Sequence, residues 1–137
     1  MKIAILGSMV FTDEMLKLKT ELEKLNHDVI ISSFAKAYTG KNVDEISRLT
    51  IKDKKENNGL IELCKSLNNV DAILVLNLDK KGIKNYIGGN TLIEMGYGFI
   101  LEKKIFLWNP IPEIEFYKSE IEAMNPIIIY RKLRLIK

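Results

Sequence analysis

Two short apolar runs constrain this chain more than anything else in it: Ile3-Ala4-Ile5-Leu6 and Asp71-Ala72-Ile73-Leu74-Val75-Leu76-Asn77. Neither alternates polar with apolar residues, so neither reads as a strand with one face in water. Continuous runs of this length, closed by Gly7-Ser8 and by Asn77, are the mark of strands buried on both faces of a parallel sheet. The segments between them change period. From Thr12, the expected cap, Met15, Leu18, Leu22 and Leu25 recur at helical spacing, with Asp13 and Glu14 in the first turn, where carboxylates suit the dipole. Asn26-His27 ends that helix and Val29-Ile30-Ile31 reads as a second strand. Lys104-Ile105-Phe106-Leu107-Trp108, stopped by Asn109-Pro110, reads as a fourth. Pro126-Ile127-Ile128-Ile129-Tyr130, after a short helix near Tyr117-Ala123, reads as a fifth.

Strands alternating with helices predict an α/β chain, a single domain over residues 1–137. The expected architecture is a Rossmann-like or flavodoxin-like doubly wound sheet of about five parallel strands. The least readable stretch runs from Ser33 to Gly59, polar and holding Gly40, with one short helix around Val43-Leu49. Leu60, Leu63, Cys64 and Leu67 then restore helical spacing until Asn68-Asn69 breaks it.

Composition excludes several classes. A chain of 137 residues, 47% hydrophobic and 28% charged, can bury a core without staples. The net charge of +3 is mild, and the densest basic patch, Lys52-Asp53-Lys54-Lys55, contains an acid, which argues against a nucleic-acid polymer as partner. Arg131-Lys132-Leu133-Arg134 reads as a solvated tail. The single cysteine, Cys64, rules out an internal disulfide and reads as a small buried hydrophobe. One histidine, one cysteine and no clustered ligand spacing leave no expected metal or cofactor. No apolar run approaches the roughly 20 residues of a membrane span, and Met1-Lys2 leads into a strand pattern without a signal peptide. The expectation is a cytoplasmic protein with no membrane partner.

In an open parallel sheet, ligands bind beyond the carboxyl ends of the strands at the switch in strand order. Three segments should meet there: Gly7 to Phe11, Asn77 to Thr91, and Trp108-Asn109-Pro110. The first lacks both G-x-G-x-x-G and the P-loop G-x-x-x-x-G-K, and it lacks the paired acids of a phospho-accepting receiver. The second holds Gly88-Gly89-Asn90-Thr91-Leu92-Ile93-Glu94. Gly88-Gly89 lets backbone approach a ligand. Asn90 or Thr91, as helix cap, would offer amide N–H groups and a hydroxyl to an anion or a sugar. Glu94 falls about one turn inside the helix, where the dipole should keep it ionised. A carboxylate so placed suits chemistry at a sugar C1, whose transition state resembles an oxocarbenium ion. The competing reading makes Glu94 a surface helix residue and the glycines a turn.

The chain resembles the nucleoside 2-deoxyribosyltransferase superfamily over nearly its whole length. The resemblance rests on Ile5-Leu6-Gly7-Ser8 with Phe11-Thr12-Asp13, on Asp71 to Asn77, on Ile87 to Gly98 with its Glu94-Met95-Gly96, and on Lys103 to Leu107. It implies base exchange between deoxyribonucleosides, or hydrolysis of the N-glycosidic bond of nucleoside monophosphates. In both, a glutamate matching Glu94 attacks the sugar C1. The family's acid on the helix before the third strand falls on Leu63, or on Glu62 with one extra residue, which makes Glu62 the candidate proton donor. The aspartate that some transferases carry six residues before the nucleophile is Gly88 here. The resemblance makes Ser8, with Gly89, Asn90 and Thr91, a candidate 5'-phosphate pocket, with a turn role as the alternative for Ser8. Phe11 and Tyr38 are candidates to stack on a base, and Asn77 to hydrogen-bond the ligand, against core packing for Phe11 and turn capping for Asn77. Trp108 reads as core or as a wall of the site, and Asp79 as a solvated loop acid or as a substitute for the missing acid. The partner implied is a small-molecule nucleoside or nucleotide, in a homodimer or larger homo-oligomer. A nucleotide-binding or sensing module without turnover is the alternative.

Overall fold

The computed structural model describes residues 1–56 and 58–137. Five parallel strands, β1 (Lys2–Leu6), β2 (Asp28–Ile30), β3 (Ala72–Val75), β4 (Lys104–Leu107) and β5 (Ile127–Ile128), form one sheet in the order β2-β1-β3-β4-β5. Six α-helices accompany them among the described residues: α1 (Thr12–Lys24), α2 (Ala35–Tyr38), α3 (Val43–Glu56), α4 (Gly59–Ser66), α5 (Gly89–Ile100) and α6 (Lys118–Ala123). This is the flavodoxin-like strand order, with its switch point between β1 and β3.

The continuous apolar runs are explained by helices on both faces. Ile3, Ile5 and Leu74 turn toward Met15, Leu18 and Leu22 of α1. Ala4, Leu6, Ile73 and Val75 turn the other way, toward Leu63, Leu67, Met95 and Ile121. All four residues of β3 are fully buried, so a polar residue at any of them would lie in a core. Each buried aliphatic side chain contributes about 1.5–3 kcal/mol relative to exposure, so these paired layers dominate the stability.

Several local expectations shift. Thr12 does not cap α1: Phe11 occupies that position, and the Thr12 hydroxyl donates to the Met9 carbonyl of a preceding 3-10 turn. The fifth strand is only two residues long. The Ile129 N–H extends its pairing by one bond to Leu107 O at 2.9 Å, after which Tyr130 (φ 47°) and Arg131 (φ 62°) turn the chain away. The stretch from Ser33 to Gly59 holds two helices. In α3, 14 residues long, only Ile46 is buried, which is why its apolar period was faint.

Gly7 ends β1 where only glycine fits. Its φ of +155° strains any side chain, and a Cβ there would stand 2.9 Å from both the Leu76 carbonyl oxygen and Met15 Cε. The chain therefore leaves the sheet tightly beside β3, and the loops after β1 and β3 face one another.

Candidate functional site

A cavity of about 340 Å³ lies beyond the carboxyl ends of β1 and β3, within the size range of small-molecule sites. Its floor is the first turn of α5. The helix begins at Gly89 with Gly88 as its cap residue, so neither Asn90 nor Thr91 caps it. Its first intrahelical bond runs from Leu92 N–H to Gly88 O at 2.9 Å. The amides of Gly89, Asn90 and Thr91 thus have no partner within the helix, and all three residues line the cavity.

Glu94 lies one turn further in and faces the same cavity, only 6% exposed. The sequence expectation that the helix dipole holds it ionised is corrected. Burial raises its pKa from the ordinary 4.5 to about 8, with no hydrogen bond or neighbouring charge contributing. The reason is distance: the dipole's effect fades within the first turn, and Glu94 is the sixth residue of α5. No buried side-chain oxygen among the described residues is both sealed from solvent and unpaired, so the unbonded carboxyl reaches the cavity space. Cys64 on α4 is a neighbour: burial pushes its thiol up, and the Glu94 charge adds to this. The thiol is half-buried rather than core.

The opposite wall comes from the loop after β3, which the sequence left as a glycine-bearing stretch. A two-residue turn orders it. Lys80 and Ile83 exchange both backbone hydrogen bonds, at 3.0 and 2.9 Å, around Lys81 (φ 52°) and Gly82 (φ 73°). Positive φ at both central residues matches a hairpin turn, and Gly82 makes it cheap. Asp79 Oδ1 accepts the Asn85 N–H at 2.9 Å, a loop-stabilising role. The turn aims Lys80 across the cavity mouth, where its Nζ donates to Ser8 Oγ at 2.8 Å and stands 5.2 Å from the Tyr86 ring centre. Burial lowers the Lys80 pKa, and the charges of Lys81 and Lys54 lower it further. Lys54 and Lys81 line the same cavity.

The roof is α2 and α3. Tyr38 is buried and its hydroxyl donates to Asp53 Oδ2. Burial, that bond and the Asp53 charge push the phenol well above its ordinary range. Asp53 and Glu94 are the two acidic residues on the lining.

The sequence-derived candidates divide accordingly. Gly7, Ser8, Gly88 and Glu94 line the cavity together with the three α5 residues and Tyr38. Phe11 does not: it packs with the α1-side core. Asn77 is also elsewhere, fully buried, and it ties the end of β3 to the end of β4. Its Nδ2 donates to Asn109 O and Pro110 O, both at 3.0 Å, and its Oδ1 accepts the Asn109 N–H at 2.8 Å. Glu62 is exposed and lines a second, adjoining pocket with Ile30, Ser33 and Ser66 rather than the cavity of Glu94. A one-residue alignment choice put it forward; the helical phase of α4 turns Leu63 inward instead. Trp108 packs against the α1-side core, the first of its two readings. Sequence reasoning missed Lys54, Lys80, Lys81, Tyr86 and Asp53. The run Lys80-Lys81-Gly82 was their one visible signal, a turn signature next to the glycine loop.

Fold and site together define a class: an open parallel α/β sheet whose switch-point cavity sets a buried carboxylic acid against a lysine-bearing turn. Compared with family models, curated proteins and solved structures, the chain shows no significant match. Among the described residues no helix is long and apolar enough to cross a membrane, and no group of three or more His, Cys, Asp or Glu could hold a metal ion.

Proposed function

We propose that this protein breaks or transfers the N-glycosidic bond of a nucleoside or nucleoside 5'-monophosphate, with Glu94 as the nucleophile. One observation carries the reading: a carboxyl that is 6% exposed and has no partner faces a ligand-sized cavity at the switch point. The resemblance of the Gly88–Gly98 segment to nucleoside 2-deoxyribosyltransferases supplies the chemistry. A Glu94 oxygen adds to the sugar C1 while the C1–N electron pair leaves with the base, which takes up a proton. Water, or the nitrogen of a second base, then displaces the carboxylate from C1. A desolvated carboxylate with no counter-ion gains most when positive charge develops at the sugar, so its interaction strengthens toward the transition state. Asp53, bonded to the Tyr38 hydroxyl, is the other acid on the lining and takes the place of Glu62 beside the departing base, whose proton comes from water. A homo-oligomer belongs to the same proposal; the exposed Ile93, Phe99 and Ile100 of α5 offer apolar surface for it.

Gly88, where some transferases carry an aspartate, favours the second reading, a nucleotide-binding module without turnover. The two separate in one experiment. The protein is incubated with the four common deoxynucleosides and their 5'-monophosphates, and free base is measured by chromatography. The enzyme reading expects base release that Glu94→Ala abolishes. No base from any substrate, with nucleotides still raising the melting temperature, replaces it with the binding module.

A further inference from the structure

We propose that Lys80 is an imine-forming amine, so that the switch-point cavity captures a small aldehyde or ketone as a reversible covalent adduct. This activity does not depend on the glycosidic reading.

The placement of Lys80 supports it. The side chain is half-buried, and the turn to Ile83 aims its Nζ into the cavity mouth, 2.8 Å from Ser8 Oγ and 5.2 Å from the Tyr86 ring centre. Its partner is unlike those of the other partnered lysines. Among the described residues, Lys2, Lys19 and Lys118 pair with carboxylates, and Lys103 and Lys104 donate to carbonyl oxygens. Those acceptors suit an ammonium group. A hydroxyl donates as well as accepts, so Ser8 serves a neutral amine equally. No carboxylate among the described residues forms a salt bridge with Lys80. Burial lowers its pKa, and the charges of Lys81 and Lys54 add to this. Desolvation and neighbouring cations are the two influences that activate lysines for imine chemistry.

The cavity also supplies the acid that the reaction needs. The Nζ lone pair adds to the carbonyl carbon while a proton passes from nitrogen to oxygen, giving a carbinolamine. The C–O bond then breaks, the oxygen leaves as water on a proton from Glu94, and the nitrogen pair closes C=N. The iminium N–H returns that proton, so no further reactant is consumed. Glu94 lines the same cavity, and burial keeps its carboxyl protonated near neutral pH. A volume of about 340 Å³ admits a carbonyl compound as large as a small sugar.

The test treats the protein with propanal and sodium cyanoborohydride at pH 7 and maps the propyl adducts by peptide mass spectrometry. Lys80 should carry several-fold more label than the exposed Lys17 or Lys65, although it is the least accessible of the three. Lys80→Arg keeps the charge and cannot form the imine, so the label should be lost from that position. Propanal alone should raise the melting temperature of wild type and not of Lys80→Arg. Label at Lys80 no greater than at Lys17 or Lys65, or an equal response of both proteins to propanal, would overturn the proposal. An adduct at Lys80 without base release from any nucleotide would leave it standing and remove the glycosidic reading; base release without the adduct would do the reverse.

Discussion

Replacing Glu94 with Gln should make the protein more stable, and increasingly so as the pH rises. Glutamine mimics the protonated acid in size and polarity but cannot ionise. In the folded chain Glu94 titrates at about 8, against 4.5 when unburied. The folded state therefore holds its proton more tightly than the unfolded state. The stabilisation this gives is fully present below about 4.5 and is lost as the pH climbs to about 8 and beyond. At roughly 1.4 kcal/mol for each tenfold in proton affinity, the complete loss is about 5 kcal/mol, of which about 3 is already gone by pH 7. A domain of this size shifts its melting temperature by about 3–4 °C per kcal/mol. Melting curves of both proteins from pH 5 to 9 should be nearly superimposable at the acid end. They should separate on the order of 10 °C at the alkaline end, with Glu94→Gln higher. Other titrations are common to both proteins and cancel in the difference. Parallel curves, with one offset at every pH, would refute the claim that this carboxyl is desolvated.

Three further outcomes follow from the same structure. If ionised Glu94 is the nucleophile, kcat/KM for base release should rise about tenfold per pH unit from 6 and level off near pH 8, where burial has moved its titration; a rate falling over that range would make the acid form the active one. Asn77→Ala should cost about 2–4 kcal/mol in chemical denaturation, because it orphans the buried Asn109 amide and two carbonyls; a loss of ligand affinity without loss of stability would return Asn77 to the binding site. Gly98→Ala should cost about 1–3 kcal/mol, since its Cβ would stand 2.0 Å from Ile73 Cδ1 in a full core; an unchanged unfolding midpoint would contradict that packing.

The sheet was legible because its strands are buried on both sides. Ile3–Leu6 and Ala72–Val75 carry no polar residue, and water on either face would have required one. The floor of the site was legible for a different reason: Gly88-Gly89 before a helical pattern marks a helix start with a bare backbone, and a Cβ at Gly89 would meet nothing within 4 Å. The state of Glu94 was not. Position in a helix gives the sign of the dipole term, but desolvation depends on α4 and the roof, which no local pattern reports. Asn77 and Phe11 show the same limit. Each follows a strand at the binding edge, and only tertiary packing decides whether such a residue faces ligand or neighbouring chain. The roof was hidden because α3 rests on the loop after β1 and buries a single large apolar residue, Ile46. Lys80 was hidden because a lysine in a polar loop looks solvated until the turn that aims it is known.

The central claim is that Glu94 bonds to the sugar. Turnover of a deoxynucleoside 5'-monophosphate, quenched rapidly in acid and read by intact-protein and peptide mass spectrometry, tests it most directly. The account predicts a mass gain of one deoxyribosyl phosphate on the peptide containing Glu94, absent from Glu94→Gln. Base release with no adduct at Glu94, persisting in Glu94→Gln, would contradict it.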